Sequence, residues 1–448
     1  MEAIQIQLPE HVKNIIEKLQ GAGYEAYAVG GCVRDSILGR VPDDWDITTS
    51  AKPYEVKELF RRTIDTGIRH GTVTVMMDKV GYEVTTYRID GEYEDGRHPK
   101  DVTFTSNLRE DLRRRDFTIN AMAYNDSDGL VDCFDGMADL ENKIIRCVGN
   151  PVERFTEDAL RMMRAVRFSA QLSFDIEEKT FLAIKELAQN LKKVSAERVQ
   201  VELMKLILSP NPDYLRKLYD AGVTKVFLPE FDACMETTQN HPHHCYTVGE
   251  HILQTMKAVP AERVLRLAML FHDIGKPRTK TTDDAGIDHF HGHAKLSEEM
   301  TRDILKRLKF DTDTLVMTAR LVRNHDKKIE PDRKSLRRHM AKVGADLFPA
   351  LFDIKEADVA GQSDYLRKEK LHAVALLREA YAQVIAEGDC VTVKDLAVNG
   401  KDLIGAGITP GPELGAILGK LLEIVVEEPE KNTKEYLLTR IHDLPHTF

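Results

Sequence analysis

Gly30-Gly31-Cys32-Val33-Arg34-Asp35-Ser36-Ile37-Leu38-Gly39-Arg40-Val41-Pro42-Asp43-Asp44-Trp45-Asp46-Ile47 is the stretch that decides how the rest of the chain is read. The strand-type run Tyr24–Val29 enters the Gly30-Gly31 pair, and Cys32–Leu38 then reads as a short helix stopped by Gly39. Glycines at a strand-to-helix turn let phosphate oxygens approach the backbone, and a helix N-terminus adds N–H donors and a positive dipole. Asp44 and Asp46 follow at i and i+2. On a strand both carboxylates would leave one face, with Trp45 on the other. Like charges that close repel unless a cation joins them, and oxygen ligands beside phosphate suit Mg²⁺. A bare Asp-x-Asp is more often a solvated acidic loop. Here the upstream glycine turn and a third acid, Glu83, in the strand-type run Gly81–Arg88 favour a metal site. Three carboxylates on adjacent strands would allow two ions, one activating a hydroxyl and one steadying a triphosphate.

Working outward, the 448 residues are about three times a typical domain of ~150, so several modules are expected. Lys+Arg 63 against Asp+Glu 73 gives a net charge of −10, and the imbalance is concentrated. Residues 1–150 hold 19 basic and 27 acidic side chains, while the remainder holds 44 and 46. That excludes a simple basic coat for nucleic acid, whose affinity would rest on Lys and Arg neutralising phosphates. Apolar content of 42% and charged content of 30% are globular values. No apolar run approaches the ~18 residues of a membrane helix, and Met-Glu-Ala-Ile-Gln lacks the pattern of a signal peptide. Six cysteines with no Cys-x-x-Cys spacing fit a reduced, cytoplasmic setting better than a disulfide framework or thiolate zinc site.

Short strand-type runs fill the first 150 residues: Tyr24–Val29, Trp45–Thr48, Gly71–Met77, Tyr82–Arg88 and Leu130–Phe134. From Pro151 the apolar spacing turns to a period of 3.6, and the chain reads as almost wholly helical, with breakers such as Ser209-Pro210-Asn211-Pro212 between helices. The expected fold class is therefore α+β, a small mixed sheet followed by an all-helical body.

The run 30–47 resembles the signature of class II template-independent RNA nucleotidyltransferases, the family of bacterial CCA-adding enzymes and poly(A) polymerases. Arg114-Arg115-Asp116-Phe117-Thr118-Ile119-Asn120-Ala121-Met122-Ala123, Asp132-Cys133-Phe134-Asp135-Gly136 and Glu157-Asp158-Ala159-Leu160-Arg161 are similar to further family motifs in the family's order. The resemblance implies catalytic Asp44, Asp46 and Glu83, with Mg²⁺ on Asp44 and Asp46. It implies CTP, ATP and tRNA as partners, and contacts to the incoming nucleotide from Gly31, Arg34, Arg115, Arg164 and Arg167. It also divides the chain into a head (1–150), a helical neck (151–240), an HD domain (241–365) and a tRNA-binding tail (366–448).

Asp158 and Arg161, at i and i+3 of a helix beginning near Val152, would be neighbours on one face. In the family such a pair serves as a protein template. The carboxylate accepts from the exocyclic amine of cytosine or adenine, and the guanidinium donates to cytosine N3 or adenine N1. Uracil and guanine present a donor there instead. The segment Ile89–Asp101 resembles the loop needed to switch from C to A addition, which disfavours an enzyme adding only CC. Full CCA addition and A-only addition, or a poly(A) polymerase, both stay open at this point.

Nine histidines lie between His241 and His325. Leu267–Lys276, with His272-Asp273 before Gly275, resembles the motif of HD metal-dependent phosphohydrolases. The resemblance implies a second divalent-metal site on His251, His272, Asp273, His293, His325 and Asp358, a mixed N/O set suited to such ions. A catalytically silent helical domain is the competing expectation, and an HD phosphohydrolase with an RNA-binding head is the alternative from another class. His241, His243 and His244 read as a loop entering this region.

Overall fold

The computed structural model describes residues 4–91 and 102–441. Most of the Ile89–Asp101 segment therefore lies outside the described residues. The chain forms two compact units, Met1–Pro229 and Glu230–Phe448.

In the first unit, helix α1 (Glu10–Gly21) buries Val12, Ile15, Ile16 and Leu19, the 3.6-residue stripe of an amphipathic helix. Strand β1 (Ala26–Val29) leads through Gly30 into α2 (Gly31–Ile37). β2 (Ile47–Thr49), α3 (Pro53–Leu59), β3 (Thr63–Gly67), β4 (Thr72–Met77) and β5 (Val80–Thr86) follow. A small ribbon of β6 (Arg88–Asp90) and β7 (Val102–Phe104) precedes α4 (Leu108–Arg113), β8 (Met122–Asn125) and β9 (Gly129–Asp132). The main sheet has the order β3-β4-β5-β2-β1-β8-β9. It is mixed: β2 and β5 run parallel, with Ile47 opposite Val84, and β1 is antiparallel to both β2 and β8. Tyr27, Val29, Ala121 and Ala123 pack with Tyr87, Leu108, Leu112 and Val148 beneath it.

The expected strands appear with shifted ends, and four of the nine, β3, β6, β7 and β8, were not foreseen. β8 hides in the Arg-Asp motif, β3 carries Asp65 and Gly67, and β7 is three residues long. After α5 (Gly136–Glu141) the first unit is helical except for a two-residue pairing of Ile144–Ile145 with Asp175–Ile176. Its helices are α6 (Pro151–Glu157), α7 (Leu160–Leu172), α8 (Glu178–Leu187) and α9 (Ala196–Ile207), followed by the short helices Leu215–Asp220 and Thr224–Phe227. Helix α7 buries ten of its thirteen residues, which makes it an interior helix rather than a surface one.

One expected helix is broken. Asn150 caps α6 by accepting from Val152 N–H, and Pro151 occupies its first turn. At Asp158, however, the backbone is extended (φ −143, ψ 102), and the chain restarts as α7. The Asp158 carboxylate accepts from the Leu160 N–H at 3.0 Å, a local bond that competes with helix continuation. Asp158 and Arg161 are therefore not one turn apart on a single helix.

The second unit is helical except for a short hairpin of Thr281–Thr282 and Asp288–His289. The helices Val248–Ala258, Arg263–Phe271, His293–Arg307, Thr312–Asn324 and Ala350–Ala360 carry or adjoin the motif histidines. Towards the C-terminus Leu403, Leu421, Val425, Leu437 and Ile441 form a fully buried core of their own. No helix among the described residues is long and apolar enough to cross a membrane.

Gly136 shows how tightly the first unit is packed where α5 begins. A Cβ there would stand 2.5 Å from the Thr118 carbonyl oxygen and 2.9 Å from Met122 Cγ. Gly136→Ala should destabilise the protein by about 1–3 kcal/mol, the usual cost of overpacking against backbone. Denaturant unfolding followed by circular dichroism checks this, and unchanged stability would contradict the packing.

Candidate nucleotidyl-transfer site

The cleft of the first unit forms where β1 ends. Gly30 has φ +84, and a Cβ there would lie 3.0 Å from Arg115 Nη1. Both the backbone conformation and the neighbouring guanidinium therefore require glycine. A cavity of ≈ 310 Å³ opens here, and its lining includes Gly31, Arg34, Asp44, Asp46, Arg115, Arg164 and Arg167. Seven of the expected site residues are thus brought together from positions 31 to 167.

Asp44 and Asp46 lie in the extended lead-in to β2, since the strand itself starts at Ile47. Continuing the parallel register past Ile47 opposite Val84 sets Asp46 beside Glu83. Their electrostatics agree. The Asp46 carboxyl is raised from its ordinary value, first by its partial withdrawal from water, which Arg115 opposes, and then by Asp44. The Glu83 carboxyl is raised by burial, then by Asp46 and Asp44. Both residues keep exposed surface, so a cation can reach the carboxylates from solvent. Three mutually repelling oxygens open to solvent are a donor set that fits a hard divalent metal. Glu83 does not line the cavity with the aspartates, so it meets them from the neighbouring strand.

The arginines are held by a buried acid that the sequence reading did not single out. Asp116, 8% exposed, accepts from Arg164 Nε at 2.7 Å and from Asn120 Nδ2 at 3.1 Å. Asn120 Oδ1 accepts from Arg34 Nη1 at 2.6 Å, and Arg34 also pairs with Asp35 through two bonds. Burial would raise the Asp116 carboxyl, but Arg164 and Arg161 outweigh it and hold it well below the usual carboxylate range. Arg167 pairs with buried Glu202 at 2.8 Å. Among the described residues, Arg115 Nε is buried without a hydrogen-bond partner, and burial lowers this arginine's pKa. Asp116 stood in the quoted Arg-Arg-Asp motif; an acid directly after three arginines, Arg113-Arg114-Arg115, was the available signal.

Asp158 and Arg161 do not line the cavity. Asp158 pairs with Arg198 at 2.7 Å, and Arg161 pairs with Glu157 at 2.6 Å while donating to the Arg114 and Arg154 carbonyls. Neither Arg198 nor Glu157 was among the expected site residues.

In the second unit the expected cluster assembles. Asp273 Oδ1 lies 3.4 Å from His293 Nε2 and 3.7 Å from His325 Nε2, and its Oδ2 lies 3.5 Å from His251 Nε2 and 3.3 Å from His272 Nε2. Asp358 Oδ1 is 2.9 Å from His251 Nε2. Every one of the four rings turns Nδ1 to a backbone carbonyl: Gly361, Met269, Phe290 and Val322, at 2.7–2.9 Å.

A mixed sheet whose β1 turns through glycine into a short helix, with paired aspartates before β2 and a guanidinium-lined cleft, defines a nucleotidyltransferase head. The family profile "Poly A polymerase head domain" matches residues 26–146. "Probable RNA and SrmB- binding site of polymerase A" matches 173–235, and tRNA nucleotidyltransferase domain 2 matches 279–441. A CCA-adding enzyme of Pediococcus pentosaceus is 36% identical, covering 97% of this chain and 98% of that protein. Its counterpart from Lactobacillus helveticus is 37% identical over 96% of each. The crystal structure of the Bacillus stearothermophilus CCA-adding enzyme in complex with CTP superposes with TM-score 0.71 at 30% identity, over 98% of both chains. The chain belongs to the family of CCA-adding enzymes, and with it to the metal-dependent nucleotidyltransferases.

The raised Asp46 carboxyl has a stability consequence. An acid whose folded pKa is raised binds its proton more readily in the fold, so stability falls as pH rises through its ordinary value towards the raised one. Asp46→Asn should therefore raise the melting temperature of metal-free protein at pH 7 by a few degrees, and the gain should vanish below about pH 4. Added Mg²⁺ should stabilise the parent and not the variant. Calorimetry at both pH values checks this.

Proposed function

We propose that this protein adds CCA to tRNA 3′ ends from CTP and ATP, with Mg²⁺ as the metal and the cytoplasm as its location. The observation that carries the reading is the convergence of paired aspartates and paired arginines on one cleft behind Gly30. It is supported by full-length similarity to proteins named CCA-adding enzymes, which does not favour an A-only enzyme, a poly(A) polymerase or a head that merely binds RNA.

On this reading Asp44 and Asp46 hold the metal and Glu83 assists from β5. The metal supplies charge neutralisation at the triphosphate and acidity at the primer hydroxyl. Arg34, Arg115, Arg164 and Arg167 bind and orient the incoming nucleotide, and Gly31 leaves room for its approach. Asp158 and Arg161 select the base once the ion pairs with Arg198 and Glu157 exchange for base edges. The chain divides functionally into the head (1–150), the neck (151–240), a metal-binding helical domain (241–365) and a tRNA-binding tail (366–448).

Labelled CTP or ATP offered with tRNA lacking CCA, or ending in CC, tests this. Both nucleotides should enter the first tRNA, and AMP alone the second. Asp44→Ala and Asp46→Ala should each lower transfer by about 10³-fold or more, since several kcal/mol of charge stabilisation is lost, while tRNA still binds. Retained transfer would refute the metal assignment.

A specific observation favours a second metal site in the second unit. Four imidazoles held by Nδ1–carbonyl bonds present Nε2 towards one aspartate, the orientation that ligating histidines need. His251, His272, Asp273 and Asp358 form one donor group, and Asp273, His293 and His325 the other. Metal analysis of purified protein should find divalent ions lost in Asp273→Ala; equal metal content in the variant would count against the site.

A further inference from the structure

Phe168, on helix α7, lies in the wall of the nucleotide cleft and is 5% exposed. Three guanidinium groups converge on its ring. Arg167 Cζ lies 3.6 Å from the ring centroid, Arg34 Cζ 4.9 Å and Arg164 Cζ 5.4 Å. They come from different places: Arg34 from α2, and Arg164 and Arg167 from the two adjoining turns of α7. Phe117, fully buried, meets the ring edge-on at 5.8 Å and 81° and so fixes its plane.

Three like charges around one point repel, and each also has a carboxylate of its own: Asp35, Asp116 and Glu202. Glu202 also comes within 3.9 Å of Arg164, but among the described residues no carboxylate forms an ion pair with all three. The ring is the one element that all three share. Its negative π-cloud attracts each cation without using a hydrogen-bond donor, so the N–H groups not already bonded to Asp35, Asn120, Asp116, Glu202 and Gln171 stay available to a phosphate. A ligand carrying several negative charges then meets cations already gathered, instead of having to gather them itself.

We propose that Phe168 is a positioning residue for the nucleotide triphosphate, holding Arg34, Arg164 and Arg167 in one array by cation–π attraction. It rests on the reading of this cleft as the nucleotide site. An aromatic filler of the same cavity would need the ring's shape but not its charge distribution, and the two roles separate experimentally.

Full-length enzyme carrying 3,4,5-trifluorophenylalanine at position 168 keeps the ring's shape while weakening its quadrupole. KM for CTP and for ATP should rise progressively through mono-, di- and trifluorinated rings, to about tenfold at the last, as expected for several weakened cation–π contacts. The kcat should stay within about twofold, because the chemical step is untouched. Phe168→Leu should raise KM at least as far, and Phe168→Tyr should restore it. A flat KM across the fluorinated series, with Arg167→Ala still raising KM, would overturn the role of Phe168 alone. If Arg167→Ala also left KM unchanged, the cleft would not be the nucleotide site and the underlying reading would fall.

Discussion

The buried carboxylate of Asp116 is the constraint on which the first unit's cleft depends. One oxygen takes Arg164 from α7, and the other takes Asn120, whose own oxygen takes Arg34 from α2. A single acid thereby ties the last turn before β8 to the helix after Gly30 and to the interior helix α7. Breaking one side of a buried pair costs about 3–5 kcal/mol, because the remaining charge is left without compensation. The chain can keep such an acid ionised only while Arg164 stays in place, which makes the position of that arginine a condition of folding rather than a later adjustment.

The same constraint accounts for part of the charge distribution. The first 150 residues are the acidic part of the chain, yet the cleft wall is rich in arginine. Asp35, Asp111 and Asp116 are there to hold guanidiniums, with Asp111 reaching Arg114 at 2.9 Å and Arg115 at 3.7 Å. Asp44, Asp46 and Glu83 have no such role: the first two raise the third, and withdrawal from water and then Asp44 raise Asp46. Net charge therefore says little about the partner, because acids that hold a guanidinium and acids that repel one another count alike in the sum while doing opposite things to the local field.

How much was legible follows from how far each signal reaches along the chain. The glycine turn, the aspartate pair and the Arg-Arg-Asp motif are local, and their positions in the cleft follow from strand and turn chemistry over a few residues. The α+β class was legible for the same reason, since a period-2 pattern gives way to period 3.6 near Pro151. Asp158 and Arg161 were misplaced on one helix because periodicity cannot register a single extended residue, and the Asp158–Leu160 bond that stabilises it is a side-chain effect. The partners Arg198, Glu202 and Asn120 sit up to 86 residues from what they touch, and no spacing rule connects them. Phe168 read as one more apolar position of α7, and only the structure places three cations around it.

The two donor clusters, one in each unit, show opposite ways of preparing for a cation. In the first unit the carboxylates keep exposed surface, and Asp44 raises Asp46 while both raise Glu83, so a hard ion arriving there relieves repulsion. Such a site suits a metal that enters with its substrate, because affinity need not be high until phosphate oxygens complete the shell. In the second unit the side chains of His251, His272 and Asp273 are 1–2% exposed, and each of the four rings is fixed through Nδ1. Lys276 Nζ, 2.7 Å from Asp273, supplies a positive charge at the carboxylate shared by both donor groups. Pre-set imidazoles lose little freedom on binding, and a resident ion would only have to displace that ammonium from Asp273.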